Sequence, residues 1–364
     1  MTSNNFNWMH ISDFHVGMAG ASNLWVQVKE RLHQDVRRHI EEVGNIDLVV
    51  FSGDITQKSA AEEFEAAFSE LVELWEVFES AGCCPKLFIV PGNHDLNRVK
   101  AEGSALLSAL DAWRKRASNA VSLLGKAEHS YRKETFEQFS EYLKFIERLK
   151  QSVIPVLCDT VGALPGDCSG VLEVNGLKIG VVGLNTAWSQ LENSKKEGDL
   201  EFSADQIHHA VEGEITKWIS SNNLNFLVTH HPVSWLVPDA RTDFINEVNP
   251  LGRFDAHLFG HMHEHRAVGQ EYSQNARKRD IQVASLFGLE KAADGKIDRA
   301  HGYYFASVSP EVSELRIWPR SAQQVTGGGW RVYEDRYSLP EGGLFSTHAL
   351  VVRNYNAESQ KKKT

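Results

Sequence analysis

The chain has 364 residues, of which 42% are hydrophobic and 10% aromatic, enough to bury a large core in one extended domain or one domain with an insertion. A formal net charge of −10 disfavours indiscriminate attraction to nucleic acid, and no run approaches the roughly 18 apolar residues that span a bilayer, so no membrane partner is expected. Four cysteines, two of them adjacent at Cys83 and Cys84, give neither a disulfide framework nor paired zinc spacing, and read as reduced, packed residues of a cytoplasmic protein.

The polar opening Met1 to Asn7 enters an apolar strand at once, which reads as the lack of a secretory leader. That strand, Trp8 to Ile11, ends at Asp13-x-His15. Trp25, Val28, Leu32, Val36 and Ile40 then recur at helical spacing, and a strand from Ile46 to Phe51 runs into Gly53-Asp54. Phe64, Ala67, Leu71, Leu74 and Phe78 predict a second helix, and the strand from Lys86 to Val90 delivers Gly92-Asn93-His94-Asp95. Both helices should cover a sheet face. Gly53 and Gly92 should let the backbone turn tightly where the strands end.

Residues 98–155 interrupt this alternation with two amphipathic helical patterns: Leu106, Leu110, Trp113, Ala117 and Val121, then Phe136, Phe139, Leu143, Ile146 and Leu149. Leaving the sheet just after Asp95, the segment reads as a helical cap or interaction platform beside the site. Asn97 and Arg98, at its start, are candidate phosphate contacts, since arginine grips phosphate bidentately. Further on, Asn175-Gly176 predicts a hairpin between Val171–Val174 and Leu177–Val182. The run Phe226 to Val228 ends at His230, and His257 to Phe259 ends at Gly260-His261-x-His263, with His265 two positions on.

Strand-like pieces at Ile281–Ala284, Tyr303–Val308, Leu315–Trp318 and Trp330–Tyr333 are expected to join the hairpin in a second, partly antiparallel sheet. The main domain is placed at 1–353, and 354–364 reads as a polar tail or linker ending in Lys361-Lys362-Lys363. Arg114-Lys115-Arg116 and Arg277-Lys278-Arg279 are the other basic clusters, and read first as solvated faces.

Taken singly these clusters say little. An Asp-x-His is commonly a surface pair, Gly-Asp a turn, and a buried histidine a hydrogen-bonded one. Their shared placement is informative, because each candidate ligand follows a run that reads as a buried strand, and open α/β sheets bind ligands beyond the carboxyl ends of their strands. Carboxylate and amide oxygens mixed with several imidazoles form a set too rich for one ion, and suit a bridged pair of divalent metals. The chain therefore reads as a two-metal hydrolase of phosphate esters.

The ordered set Asp-x-His, Gly-Asp, Gly-Asn-His-Asp, His and Gly-His-x-His resembles the calcineurin-like metallophosphoesterase superfamily over residues 8 to 265. The strings from Met9 to Gly17 and from Phe259 to Glu264 are similar to its bacterial phosphodiesterase and nuclease branches. The resemblance implies a four-layered α-β-β-α sandwich of two mixed sheets, here with a helical insertion. It also implies one metal held by Asp13, His15 and His263, another by Asn93, His230 and His261, and Asp54 bridging both. Manganese, iron or zinc suits such a set. His231 is an alternative ligand to its neighbour, though His230 ends the apolar run directly, which leaves His231 to line the pocket. His94 resembles the family histidine that protonates the leaving oxygen or holds the phosphate, with Asp95 expected to orient its ring.

Three functions follow as expectations. A phosphodiesterase acting on a cyclic nucleotide or other small diester fits the acidic charge. A DNA or RNA nuclease fits the Ser12-Asp13-x-His15-x-Gly17 opening and an insertion able to hold a strand, but the chain lacks an obvious basic and aromatic track for one. A noncatalytic scaffold conflicts with a ligand set this complete. A phosphomonoesterase ranks lower, and a protein Ser/Thr phosphatase is disfavoured because Ile55-Thr56-Gln57 stands where those enzymes carry Asp-Arg-Gly. By analogy, a fused domain or protein partner is also expected.

Overall fold

The computed structural model describes residues 4–18, 22–98, 126, 128–192, 196–211, 213–273, 276–287, 301–325 and 328–355. The helical pattern from Leu106 to Val121, the Arg114 cluster and the C-terminal lysines lie outside these residues. Strands and helices first alternate: β1 (Phe6–Ile11), α1 (Ser22–Val43), β2 (Leu48–Phe51), α2 (Ala61–Ser80) and β3 (Lys86–Ile89). Glu63 starts α2 by turning its carboxylate back to accept from the Lys58 and Ala60 backbone N–H groups. After the insertion helices α3 (Ser130–Gln138) and α4 (Ser140–Lys150) come β4 (Thr160–Val161), β5 (Cys168–Val174) and β6 (Leu177–Gly183). At the β5–β6 turn, Asn175 and Gly176 have φ of 51° and 77°, the left-handed pair that a two-residue hairpin requires.

The short helices α5 (Asp205–Ala210) and α6 (Ile215–Ser220) precede β7 (Leu224–Val228), and α7 (Pro238–Asp243) precedes β8 (Ala256–Phe259). β9 (Arg266–Ser273), β10 (Ala276–Gln282), β11 (His301–Ser309), β12 (Glu314–Gln324), β13 (Trp330–Glu334) and β14 (Ser346–Ala349) complete the order.

Two seven-stranded sheets result. The first runs β13-β12-β11-β1-β2-β3, with β14 also on β12; the second runs β4-β5-β6-β7-β8-β10-β9. β1, β2 and β3 are mutually parallel, as are β6, β7, β8 and β10. Alternation along the strands sorts their side chains into layers. Trp8, Val50 and Phe88 from the first sheet meet Ile179, Phe226 and Leu258 from the second in the central core. Met9, Val49 and Leu87 face outward beneath α1 and α2. Val182 and Leu227 face the other way, beneath α5, α6 and α7. The architecture is the expected four-layered sandwich.

One expectation about the tail is overturned. Of the strands placed in the second sheet, β10 is there, but β11, β12 and β13 extend the first, β11 pairing antiparallel with β1 so that Trp8 lies opposite Ala306. A period of two tells which side chains are buried, not which strand lies alongside. Phe139 and Leu149 of the insertion are buried, and Phe145 lies 5.2 Å centroid to centroid from Phe64 while the Arg148 guanidinium sits 3.9 Å above the Phe68 ring. The described part of the insertion thus lies on α2 in the outer layer. All four cysteines are free thiols, and Cys84, contrary to the packing expected, is exposed. Among the described residues no helix is long and apolar enough to cross a membrane.

Candidate metal centre

The carboxyl ends of β1, β2 and β3 in one sheet and of β7 and β8 in the other converge on one point. The loops that leave them carry Asp13 and His15, Asp54, Asn93, His230, and His261 and His263. Asp13, Asp54 and His230 are fully enclosed, at 0%, 1% and 0% exposure. Their donor atoms lie within 4.8 Å of one another, and overlapping groups of the same tightness link Asp13, His15 and His263, and His15, Asp54 and His94. A fourth group joins His230, His231 and His261, so that Asp13, His15, Asp54 and His230 each belong to two of the four.

The backbone is strained where the ligands stand. Asp13, His15, Asp54, His261 and His263 all have φ between 50° and 69°, a left-handed conformation that non-glycine residues seldom adopt. Two glycines make the crowding feasible. Gly53 has φ 97°, and a Cβ there would stand 2.6 Å from the Gly92 nitrogen and 2.7 Å from His230 Nδ1. A Cβ on Gly260 would fall 2.0 Å from Ser12 Oγ and 2.6 Å from Asp13 Oδ2. The loops are also cross-linked: Asp13 Oδ2 accepts from the His261 backbone N–H at 3.0 Å, and Asp54 Oδ1 accepts from that of His94 at 2.7 Å.

The donor chemistry fits cations. His230 Nδ1 donates to the Ser52 carbonyl at 2.8 Å, so in the neutral ring Nε2 is a bare lone pair. Facing it are Asp54 Oδ2 at 3.2 Å, Asn93 Oδ1 at 3.1 Å and His261 Nδ1 at 3.3 Å. Nearby, His263 Nε2 lies 3.0 Å from Asp13 Oδ1 and 3.3 Å from His15 Nε2. Lone pairs drawn this close out of water repel unless a proton or a metal ion lies among them.

Electrostatics point the same way. Burial opposes charge on Asp13 and Asp54, yet His263 beside the first and His230 beside the second hold both carboxyls below the ordinary range. Burial also opposes charge on His230, but Asp54 raises it to about 9. Burial lowers His15 to about 4 and, with repulsion from His230, His261 to about 3. The pull that would put a proton on His230 is the pull that would hold a divalent ion.

His231 is a different kind of neighbour. Thr186 Oγ1 accepts its backbone N–H at 3.0 Å and lies 3.0 Å from its Nδ1, so the hydroxyl proton is available to that nitrogen. Nε2 would then carry a proton and present a donor, whereas His230 presents a lone pair. His94 Nδ1 pairs with the Gln57 carbonyl at 2.8 Å, and its ring meets that of His15 edge-on at 4.8 Å. The expected contact of Asp95 with that ring is not made. The Asp95 carboxylate instead accepts from the Gly92 and Thr56 backbone N–H groups at 2.8 and 2.9 Å and from the Thr56 hydroxyl at 3.1 Å, bracing the Gly92–Asp95 turn.

The remaining candidates divide. Arg98 donates to the Asn93 carbonyl at 3.2 Å, beside the ligand loop. Asn97 is exposed, its backbone N–H tied to Gln138 of α3. His265 is spent inside the fold: Nε2 meets the Arg320 carbonyl at 2.9 Å and Nδ1 the Ala284 N–H at 3.3 Å, leaving no ring nitrogen for substrate. The supporting groups that sequence reasoning missed are mostly main-chain, the Ser52 and Gln57 carbonyls, which no residue-type pattern announces. Trp235, whose ring meets His261 edge-on at 4.1 Å, carried no periodic signal either. Nor does Arg279 belong to a solvated basic face, since it is buried and donates to the Asp255 carbonyl at 3.1 Å.

A family model, calcineurin-like phosphoesterase, matches residues 6–265, and the chain belongs to that family of metal-dependent phosphoester hydrolases. No curated protein matches its sequence. Among solved structures the chain is similar to GAP50, the anchor in the inner membrane complex of Plasmodium, at 11% identity and a TM-score of 0.44 over 98% of this chain and 94% of that one. It is similar to purple acid phosphatase PPD1 from yellow lupin (Lupinus luteus) seeds at 13% identity and 0.45, over 94% of this chain and 58% of that one. For Thermus thermophilus sulfate thiohydrolase SoxB the values are 12% and 0.41, over 98% and 59%.

Proposed function

We propose that this chain hydrolyses small phosphodiesters, cyclic nucleotides among them, at a dinuclear metal site. The observation that carries the reading is the convergence on His230 Nε2 of Asp54 Oδ2, Asn93 Oδ1 and His261 Nδ1, all within 3.3 Å, in a pocket that also holds His94. Asp13, His15 and His263 would hold one ion, Asn93, His230 and His261 the other, and Asp54 both. Two divalent ions held there would supply a hydroxide at neutral pH and would bind nonbridging phosphate oxygens.

The protein's own groups do the rest. The Gln57 carbonyl accepts from His94 Nδ1–H, so a proton taken from solvent would sit on Nε2 and pass from there to the leaving oxygen. Gly92, Thr56 and Asp95 hold the turn that places His94 and Asn93 together. Arg98, tethered to the Asn93 carbonyl, would contact a phosphate oxygen. A net charge of −10 favours a small monoanionic diester over a polyanionic strand.

The test is hydrolysis of bis-p-nitrophenyl phosphate, 3′,5′-cyclic AMP, p-nitrophenyl phosphate and labelled single- and double-stranded DNA side by side with Mn²⁺, comparing the intact chain with Asp54→Ala and His94→Ala. Cleavage of the small diesters, lost in both variants, is the expected result. Cleavage of DNA, or of the monoester in preference, would replace this reading with a nuclease or a phosphomonoesterase.

A further inference from the structure

Beside the metal loops, on the outer face of the second sheet, lies a cavity of about 360 Å³. None of the seven candidate ligands lines it, but Met262, between His261 and His263, does, as does Val233, which follows His231 and Pro232. Its floor is a two-by-two array: His257 and Phe259 on β8, with Asp280 and Gln282 directly alongside on β10. The size suits a ligand fragment such as a nucleoside, since small-molecule sites begin near about 300 Å³.

The floor is rich in acceptors. The His257 ring, only 1% exposed, is held from both sides, its Nε2 2.8 Å from Thr229 Oγ1 and its Nδ1 3.4 Å from Asp280 Oδ1. The Asp280 side chain is 37% exposed, so the carboxylate keeps accepting capacity toward the cavity. It is ionised: burial works against charge, but His257 pulls its pKa below the ordinary value. Gln282 donates its amide N–H to the Glu264 carbonyl at 2.8 Å, which leaves its oxygen as a second acceptor. The floor thus offers a carboxylate and an amide oxygen from adjacent same-face positions, a pair that N–H groups of a ligand would satisfy.

Above these acceptors, Phe259 and Met262 supply apolar surface, and the Phe259 and His257 rings lie 4.9 Å apart. At the margin Glu197 and Glu264 outnumber Arg266, the one cation among the described lining residues, which disfavours an anionic substituent. A flat, uncharged group whose edge carries donors meets all three conditions. Among nucleobases, guanine has adjacent N1–H and N2–H₂ donors.

We propose that this cavity seats the ester substituent of the substrate and selects an amino-bearing nucleobase, guanine foremost, through Asp280 and Gln282, with Phe259 and Met262 against its face. The assignment rests on the phosphodiesterase reading for its link to turnover, but not for its binding. The chain is titrated calorimetrically with guanosine, inosine (guanosine without the exocyclic amine) and uridine, with Asp280→Asn alongside, while wild-type turnover of bis-p-nitrophenyl phosphate with Mn²⁺ is followed separately.

Guanosine should bind about tenfold more tightly than inosine, the cost of leaving a cavity acceptor unmet, and Asp280→Asn should bring the two within about twofold. Equal binding of guanosine and inosine by the wild type, no binding of either, or a preference that survives Asp280→Asn would each overturn the assignment. The wild-type comparison decides the point even if the variant folds poorly. Guanosine binding without diester turnover would refute the proposed function and leave the subsite standing; turnover without guanosine binding would do the reverse.

Discussion

His94 Nδ1 lies 2.8 Å from the backbone carbonyl oxygen of Gln57, so the orientation of this ring is set by the main chain of the loop after β2 rather than by a neighbouring carboxylate. The ring also lies close enough to His15 and Asp54 to form a candidate ligand group with them, so metal content decides whether its role is separable from metal binding. His94→Ala should lower kcat for a small diester by about 10²- to 10⁴-fold, the usual worth of a positioned proton donor. Metal content, measured by inductively coupled plasma mass spectrometry, should stay at the wild-type level. A variant that loses its metals as well would place His94 among the ligands.

Asp95→Asn should behave differently. The Asp95 carboxylate is fully buried and accepts from two backbone N–H groups and the Thr56 hydroxyl. An amide in its place turns an NH₂ group toward one of those donors, at a cost of about 1–3 kcal/mol. Because the turn it braces carries both Asn93 and His94, metal affinity and turnover should fall together. Urea unfolding with a metal titration checks this, and unchanged stability would show that the turn is held without Asp95.

The metal site itself should appear as a stability effect. Ions that bind the folded chain alone raise its stability by RT ln(1 + [L]/Kd), about 2.7 kcal/mol at a free concentration of about 100 Kd. Mn²⁺ should therefore raise the melting temperature of the wild type. In Asp54→Ala, which deletes a buried carboxylate 3.2 Å from His230 Nε2, the shift should largely vanish. An equal shift in both proteins would mean that the ion stabilises the fold elsewhere.

Much of this site could be read before the structure because strand ends and ligand types coincide in the sequence. Asp13, Asp54 and His230 each follow an apolar run, and the fold places those runs as β1, β2 and β7 with their carboxyl ends together. Helices α1 and α2 and the Asn175-Gly176 turn were legible for similar reasons, a period near 3.6 and a left-handed φ requirement. Partner choice was not. β11 lies beside β1 although Trp8 and Ala306, its opposite number, stand 298 positions apart, and alternation is identical whichever strand stands next to it. Asp95 failed for a different reason: neighbours in a tight turn need not touch, and its carboxylate points back to Gly92 and across to Thr56. His265 failed because spacing beyond a ligand motif does not reveal that the Arg320 carbonyl is nearer than the pocket.

Far from the metals, His39 on α1 stacks on Phe305 with ring centroids 3.9 Å apart and planes 8° from parallel, and neither of its nitrogens has a hydrogen-bond partner. Burial, reinforced by Arg320 and Arg38, pushes its pKa down to about 3 from 6.5. The unfolded chain therefore takes up a proton below pH 6.5 that the folded chain refuses until about pH 3. This residue's share of stability is intact above pH 6.5 and drains away as pH falls through that window, at about 1.4 kcal/mol per pH unit. Phenylalanine keeps the stack and removes the titration. Relative to wild type, His39→Phe should gain about 2 kcal/mol at pH 5 beyond any difference at pH 7.5, read from urea unfolding at the two pH values. Other buried histidines keep the wild-type acid dependence steep, so the variant should flatten the curve by one proton rather than abolish it. A stability difference that is the same at both pH values would show that His39 accepts its proton in the folded protein.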